Sequence, residues 1–148
     1  GLGDVYKRQG VSNFNVEHLD RLLANVRIKP VINQVEFHPY LTQKALHEYL
    51  DAQNILMESW SPLMNAQILD DATVKSVADE VNRSAAQVII RWNVQHGVVT
   101  IPKSITPSRI EENLNVFDFE LSQEQMGRLD ALNEDRRIGP DPLQFNGQ

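Results

Sequence analysis

Cysteine is absent from the 148 residues, which excludes a disulfide framework and any thiolate metal site. The lack is compatible with a reducing compartment, and a cytoplasmic location is expected. Positive charge is also scarce: 14 Lys and Arg face 20 Asp and Glu, for a net charge of -6. The basic residues are scattered and form no stripe, so nucleic acid is not an expected partner. No apolar run approaches the roughly 20 residues of a membrane-spanning helix, and no membrane partner is expected. A secretory signal pattern is missing as well. His18, His38, His47 and His96 do not fall in an H-E-x-x-H spacing, which argues against a metal site. Finally, no G-x-G-x-x-G occurs, so the dinucleotide fingerprint of doubly wound folds has no support.

What remains is ample for a folded core, since 41% of the residues are hydrophobic. From Asn15 onward helical and strand patterns alternate without a linker or low-complexity tract, as in one organisational unit. Asn15 is the expected N-cap of a helix carrying Leu19, Leu22, Leu23 and Val26. The stretch from Val31 to Phe37 alternates with period two and reads as a strand. Thr42 is expected to cap a helix through Leu46, Tyr49 and Leu50. A second strand spans Ile55 to Trp60 and ends at Pro62. Val74, Val77, Ala78 and Val81 then mark a helix, and the capping box Ser84 with Gln87 starts another that stops at Gly97. Val98 to Ile101 reads as a strand. Thr106 and Pro107 open a helix with an apolar face of Ile110, Leu114 and Phe117, and Ser122 with Gln125 caps a last helix through Leu129 and Leu132.

Three strands thus alternate with helices, and a fourth is expected just before Ser12. Such alternation implies an α/β fold of parallel βαβ units, whose functional groups collect at the C-terminal strand ends. Those ends are polar: Ser12-Asn13, Asn33-Gln34, Trp60-Ser61 and Pro102-Lys103-Ser104. Ser and Asn are ordinary turn residues, but four such ends on one rim form a candidate site.

Four segments in this order, Gly10-Val11-Ser12-Asn13-Phe14, Asn33-Gln34-Val35-Glu36-Phe37-His38-Pro39, Ser61-Pro62-Leu63 and Ile101-Pro102-Lys103-Ser104 with Arg109, Glu112 and Asn113, resemble the second half of an aldo-keto reductase. The likeness runs from about Gly10 to Asn133. It implies a partial TIM (β/α)8 barrel of about four C-terminal βα units, a cofactor of NADPH, and a small-molecule carbonyl substrate reduced by hydride transfer. By the same likeness, Ser12 and Asn13 correspond to the pair that hydrogen-bonds the nicotinamide carboxamide, a task suited to short side chains with donors and acceptors. Gln34 corresponds to the residue completing that clamp, and Trp60 to an aromatic stacked on the nicotinamide ring. Ser61 and Leu63 correspond to pyrophosphate contacts. Lys103, Ser104, Arg109, Glu112 and Asn113 correspond to the grip on the adenosine 2'-phosphate and adenine.

One of these assignments has independent physical support. Arg109 lies in the first turn of the helix opened by Thr106, where the helix dipole disfavours a cation. A bound anion would reverse that sign, since helix N-terminal amides, Lys103, Ser104 and Arg109 could together hold a phosphate. Arg109, Glu112 and Asn113, at i, i+3 and i+4, share a face distinct from that of Ile110 and Leu114. Asp70-Asp71 and Glu111-Glu112 are adjacent pairs whose side chains diverge, and they read as solvated helix starts. His38 reads as structural.

The resemblance also marks what is lacking. The family draws its catalytic tyrosine, lysine, aspartate and histidine from its first four strands, and none is assigned here; Tyr6, Tyr40 and Tyr49 lie in other contexts. The missing N-terminal half of the barrel is therefore an expected partner, and this chain alone is expected to be inactive. Gly1 to Gln9 do not resemble the basic, apolar lead-in of the family and are expected to be a non-native leader, with residues 10–148 forming the domain. Met64-Asn65-Ala66-Gln67 lacks glycine where relatives often carry it. The rival readings are a non-catalytic nicotinamide-nucleotide-binding or sensing module and a complete small doubly wound domain with another ligand.

Overall fold

The computed structural model describes residues 9–102 and 106–144. Four parallel strands, β1 (Gly10–Ser12), β2 (Ile32–Glu36), β3 (Leu56–Trp60) and β4 (Val99–Thr100), lie side by side in chain order. Between and after them run α1 (Val16–Leu23), α2 (Lys44–Ala52), α3 (Ala72–Val81), α4 (Ala85–Gln95), α5 (Pro107–Leu114) and α6 (Gln123–Asp130), with a 3-10 segment over Met64–Asp70. Parallel neighbours need a crossover, and a helix supplies it each time.

The strand register sorts the side chains into two faces. Asn33 and Val35 of β2 and Met57 and Ser59 of β3 are buried under the helices, where Leu19, Leu50, Val77 and Ile89 complete the core. The opposite face carries Ile32, Gln34, Leu56 and Glu58, and none of these four is buried. Leu56 is 56% exposed there. Ser12 pairs with Gln34 and Gln34 with Glu58 in register, so these three form one row across the uncovered face. Glu36 and Trp60 form the next row towards the strand ends. The core is sealed by Phe37 stacked on Trp92, with ring centroids 4.7 Å apart and planes 16° from parallel.

Local signals set most of the helix ends. Ser84 Oγ accepts from the Gln87 amide and Gln87 Oε1 from the Ser84 amide, as in the expected capping box, and Ser122 with Gln125 repeats the arrangement. Gly97 has φ of +72°, which ends the turn after α4. Pro107 stands at the start of α5 with Thr106 as N-cap.

Other expectations are corrected. Thr42 is not the cap of α2: Gln43 is, in a left-handed conformation at φ 43°, while the Thr42 amide donates to Asn133 Oδ1 at 2.9 Å. β4 covers Val99–Thr100 and not the whole of Val98 to Ile101. α1 stops at Leu23, leaving Val26 outside it. α5 ends at Leu114, so Phe117 lies beyond the helix expected to carry it, and the apolar residues of this stretch face outward, with Leu114 66% and Phe117 72% exposed. α6 stops at Asp130, leaving Leu132 outside it. Asp71 is more than a solvated helix start, since its Oδ1 caps α3 by accepting from the Thr73 and Val74 amides.

Candidate active site at the strand ends

The strand ends gather two adjoining groups of side chains. At the end of β1 the backbone turns sharply, Asn13 taking φ of 58°, and its amide donates to the Gln34 carbonyl at 2.8 Å. This conformation, which asparagine tolerates better than most residues, points the carboxamide across the sheet. Asn13 Oδ1 accepts from Trp60 Nε1 at 2.8 Å, and Ser12 Oγ donates to the Gln34 carbonyl at 3.3 Å. Gln34 Nε2 donates to Glu58 Oε1. Ser12, Asn13 and Trp60 line one side of a cavity of about 650 Å3 that extends to His18 and Leu22 of α1 and to Pro140 and Pro142.

Ser12, Asn13 and Gln34 keep hydrogen-bonding capacity beyond these bonds. Asn13 retains its Nδ2 donors, Gln34 its Oε1 acceptor, and Ser12 its hydroxyl lone pairs. A primary carboxamide, with one acceptor oxygen and a two-proton donor, is complementary to such a set. Trp60 presents its large ring beside it, held in place by the bond to Asn13.

The second group lies across the ends of β3 and α5. Ser61, Leu63, Arg109, Glu112 and Asn113 line one cavity of about 510 Å3, although the first two lie far from the others in sequence. Beside it runs an unusual backbone: Ser61, Met64, Asn65 and Ala66 all have positive φ, between 49° and 72°. A β-carbon disfavours this region by roughly 1–2 kcal/mol per residue, which explains why glycine suits these positions and why Met64 to Ala66 stand out. Arg109, exposed in the first turn of α5 as its spacing from Thr106 predicts, is one of the residues lining this cavity. Lys103 and Ser104 lie outside the described residues, as does Phe145.

A third cluster escaped the sequence reading. Glu36 is fully buried at the end of β2, and its carboxylate accepts from Ile138 N at 2.6 Å, Gly139 N at 3.0 Å and His38 Nε2 at 2.9 Å. His38, expected to be structural, is fully buried with this carboxylate as its partner. Burial is the main influence on His38 and pushes its pKa below the usual imidazole value of 6.5, against the pull of Glu36. Nearby, Tyr40 donates to Asp71 Oδ2 at 2.7 Å, and its pKa is pushed up to about 12 by burial and then by that bond. A glutamate in an otherwise core-like strand was the available signal. Its partners, about a hundred residues away, were not visible in any local pattern. Among the described residues no group of three or more His, Asp or Glu is placed to hold a metal, and no helix is long and apolar enough to cross a membrane.

The sequence model of the Aldo/keto reductase family matches residues 5–134. The chain belongs to that family. It is 59% identical over 133 residues to the glyoxal reductase of Bacillus subtilis (strain 168), a match covering 90% of this chain and 48% of that protein. It is 43% identical to the methylglyoxal reductase DkgA of Escherichia coli (strain K12), over 97% of this chain and 53% of that protein. Among solved structures, a Gox0644 mutant in complex with NADPH superposes with a TM-score of 0.88 at 42% identity, covering 92% of this chain and 51% of that one. The chain therefore spans about half the length of the relatives it matches. The four-stranded parallel sheet with its helices agrees with part of a (β/α) barrel.

Proposed function

We propose that residues 10–148 are the C-terminal half of a TIM-barrel aldo-keto reductase that reduces a small aldehyde or ketone with NADPH, this half holding the cofactor. The observation that carries the reading is the convergence of Ser61, Leu63, Arg109, Glu112 and Asn113 on one cavity adjoining the Ser12, Asn13 and Trp60 group. The residues present fit the cofactor chemically. The free valences of Ser12, Asn13 and Gln34 complement a carboxamide, the Trp60 ring offers a flat apolar surface to an aromatic ring, and the Arg109 guanidinium at a helix start suits a phosphate. Lys103 and Ser104 would join Arg109 in that grip, while Glu112 and Asn113 would hold the adenine. When bound, NADPH supplies the hydride that reduces the carbonyl carbon.

The residues of this chain orient the cofactor, and the proton for the carbonyl oxygen comes from a tyrosine in the half of the barrel that precedes it. The names of the relatives, glyoxal and methylglyoxal reductases, favour small reactive carbonyl compounds as substrates.

Cofactor choice tests the reading. Arg109 is assigned to the 2'-phosphate, the only group that distinguishes NADPH from NADH, whereas Trp60 is assigned to a part the two share. A hydrogen bond to a charged group contributes on the order of 1.5–3 kcal/mol, so Arg109→Ala should weaken NADPH binding by roughly 10- to 100-fold and leave NADH nearly unchanged. Trp60→Ala should weaken both alike. The titrations are made on an enzyme completed by fusing this chain behind the unmatched part of the Bacillus subtilis glyoxal reductase. Equal losses for both nucleotides, or no loss, on Arg109→Ala would remove the phosphate assignment.

A further inference from the structure

The segment after α6 is laid across the end of β2 by an unbroken series of contacts. Asn133 Oδ1 accepts from the Thr42 amide at 2.9 Å, and the Tyr40 carbonyl accepts from Glu134 N at 3.2 Å and Arg136 N at 3.0 Å. The Arg136 guanidinium lies over the Tyr40 ring, 5.6 Å from its centroid, and Arg137 donates to Gln43 Oε1 at 3.3 Å. The series ends on the buried Glu36, which takes the Ile138 and Gly139 amides on its two carboxylate oxygens while His38 Nε2 meets one of them. Immediately beyond, Pro140 and Pro142 enter the wall of the cavity that holds Ser12, Asn13 and Trp60.

The last step of this path leaves no room for a side chain. A β-carbon on Gly139 would come within 2.5 Å of Trp60 Cη2 and 3.2 Å of Glu36 Oε2. Glycine at 139 thus allows one backbone to touch the Trp60 ring and to donate to Glu36 at once. Trp60 is consequently held from two sides, by Asn13 Oδ1 on its indole nitrogen and by the Gly139 backbone against its six-membered ring.

From this arrangement we infer that Glu36 is a positioning residue: it clasps residues 138–139 so that Gly139 sets the placement of Trp60, and Pro140 and Pro142 close the cavity beside it. The clasp couples the C-terminal segment, whose Pro140 and Pro142 line the cavity, to the ring that forms the cavity wall. That this cavity takes the nicotinamide and the carbonyl substrate rests on the function proposed above; the clasp does not.

Glu36→Gln replaces an acceptor oxygen with an NH2 that faces an amide N–H or the imidazole, while changing the volume little. Gly139→Ala leaves the carboxylate intact and blocks the approach to Trp60. Both variants are made in the full chain and followed by hydrogen exchange of the segment 134–143 and by tryptophan fluorescence, in which Trp92 is fully buried and provides a constant background. The expected result is exchange of the Ile138 and Gly139 amides faster by about tenfold or more, the scale of one hydrogen bond to a charged acceptor. A shift of the Trp60 emission should accompany it, with the protection of β2 and α4 retained. Unchanged exchange in either variant, or exchange that rises equally throughout β2 and α4, would overturn the clasp, the latter because it marks a general loss of stability. An NADPH titration of the unsubstituted chain, completed by the same glyoxal reductase part as above, separates the two ideas, because a clasp that behaves as described in a completed enzyme indifferent to NADPH supports the inference and removes the cofactor reading.

Discussion

Two imidazoles sit where a positive charge is disfavoured. Burial lowers the pKa of His38, with Arg136 and Arg137 adding to the effect and Glu36 opposing it; burial lowers that of His47, where His96 adds and Asp51 and Glu48 oppose. A group whose charged form is disfavoured in the fold takes up its proton more readily in the unfolded chain. Stability therefore falls as the pH drops below about 6.5, the value reached when unfolded, and levels off once the folded pKa is passed. Chemical denaturation between pH 7.5 and about 5 should show this loss, and His38→Gln should flatten its slope. A stability independent of pH over that range would contradict the assignment. Which strand-end residues come together was partly readable from the chain alone: Ser12, Asn13 and Trp60 share one cavity and Ser61, Leu63, Arg109, Glu112 and Asn113 another, while Gln34 lines neither. The bond between Asn13 and Trp60 was not readable, because it depends on the left-handed turn at Asn13. Nor was the burial of Glu36, whose partners Ile138 and Gly139 belong to a segment without any periodic pattern.

Helix ends illustrate the same division at the level of elements. Ser84 with Gln87 and Ser122 with Gln125 are visible in sequence because the whole interaction fits within four residues. The start of α2 is not, since a long-range bond from the Thr42 amide to Asn133 draws Thr42 away and leaves Gln43 to begin the helix with positive φ. α3 combines both kinds of control. Asp71 caps it through Oδ1 and holds the Tyr40 hydroxyl through Oδ2, so one carboxylate ties the helix to the loop after β2. Removing a capping carboxylate costs about 1 kcal/mol, and leaving a half-buried hydroxyl without its acceptor adds roughly 1 kcal/mol or more. Asp71→Ala should thus cost about 2 kcal/mol in chemical denaturation, whereas Asp71→Ser, which restores the cap alone, should recover about half. Equal losses for the two variants would mean that the tyrosine contact dominates and the cap contributes little.

On the scale of the whole molecule, the pattern of apolar residues is legible but its purpose lies partly outside the chain. Periodicity marks Ile110, Leu114 and Phe117 as one helix face, yet they border a groove of about 470 Å3 beside β4 with Val99 and Ile101. Among the described residues β1 bonds only to β2 and β4 only to β3, and the sheet face bearing Leu56 is closed at its Glu36 end by residues 138–139 while Leu56 itself stays open. Parallel sheets are normally covered on both faces, and free edges invite pairing. Leu56, Ile101, Leu114 and Phe117 are 56%, 62%, 66% and 72% exposed. Full burial of such a side chain is favourable by about 1.5–3 kcal/mol; with two chains contributing and each side chain nearly two-thirds exposed, the gross gain is about 8–15 kcal/mol. That is comparable with the roughly 4–15 kcal/mol lost on association. The 148-residue chain should therefore self-associate in a concentration-dependent way, detectable by sedimentation velocity at micromolar concentrations, and it should bind an apolar dye and show no carbonyl reduction. Replacing Leu114 and Phe117 with lysine should shift the equilibrium towards monomer and reduce dye binding without affecting the capping boxes. A chain that is monomeric, sharply melting and free of dye binding at every concentration would mean that these surfaces are satisfied within one molecule, and the half-barrel reading would fail with it.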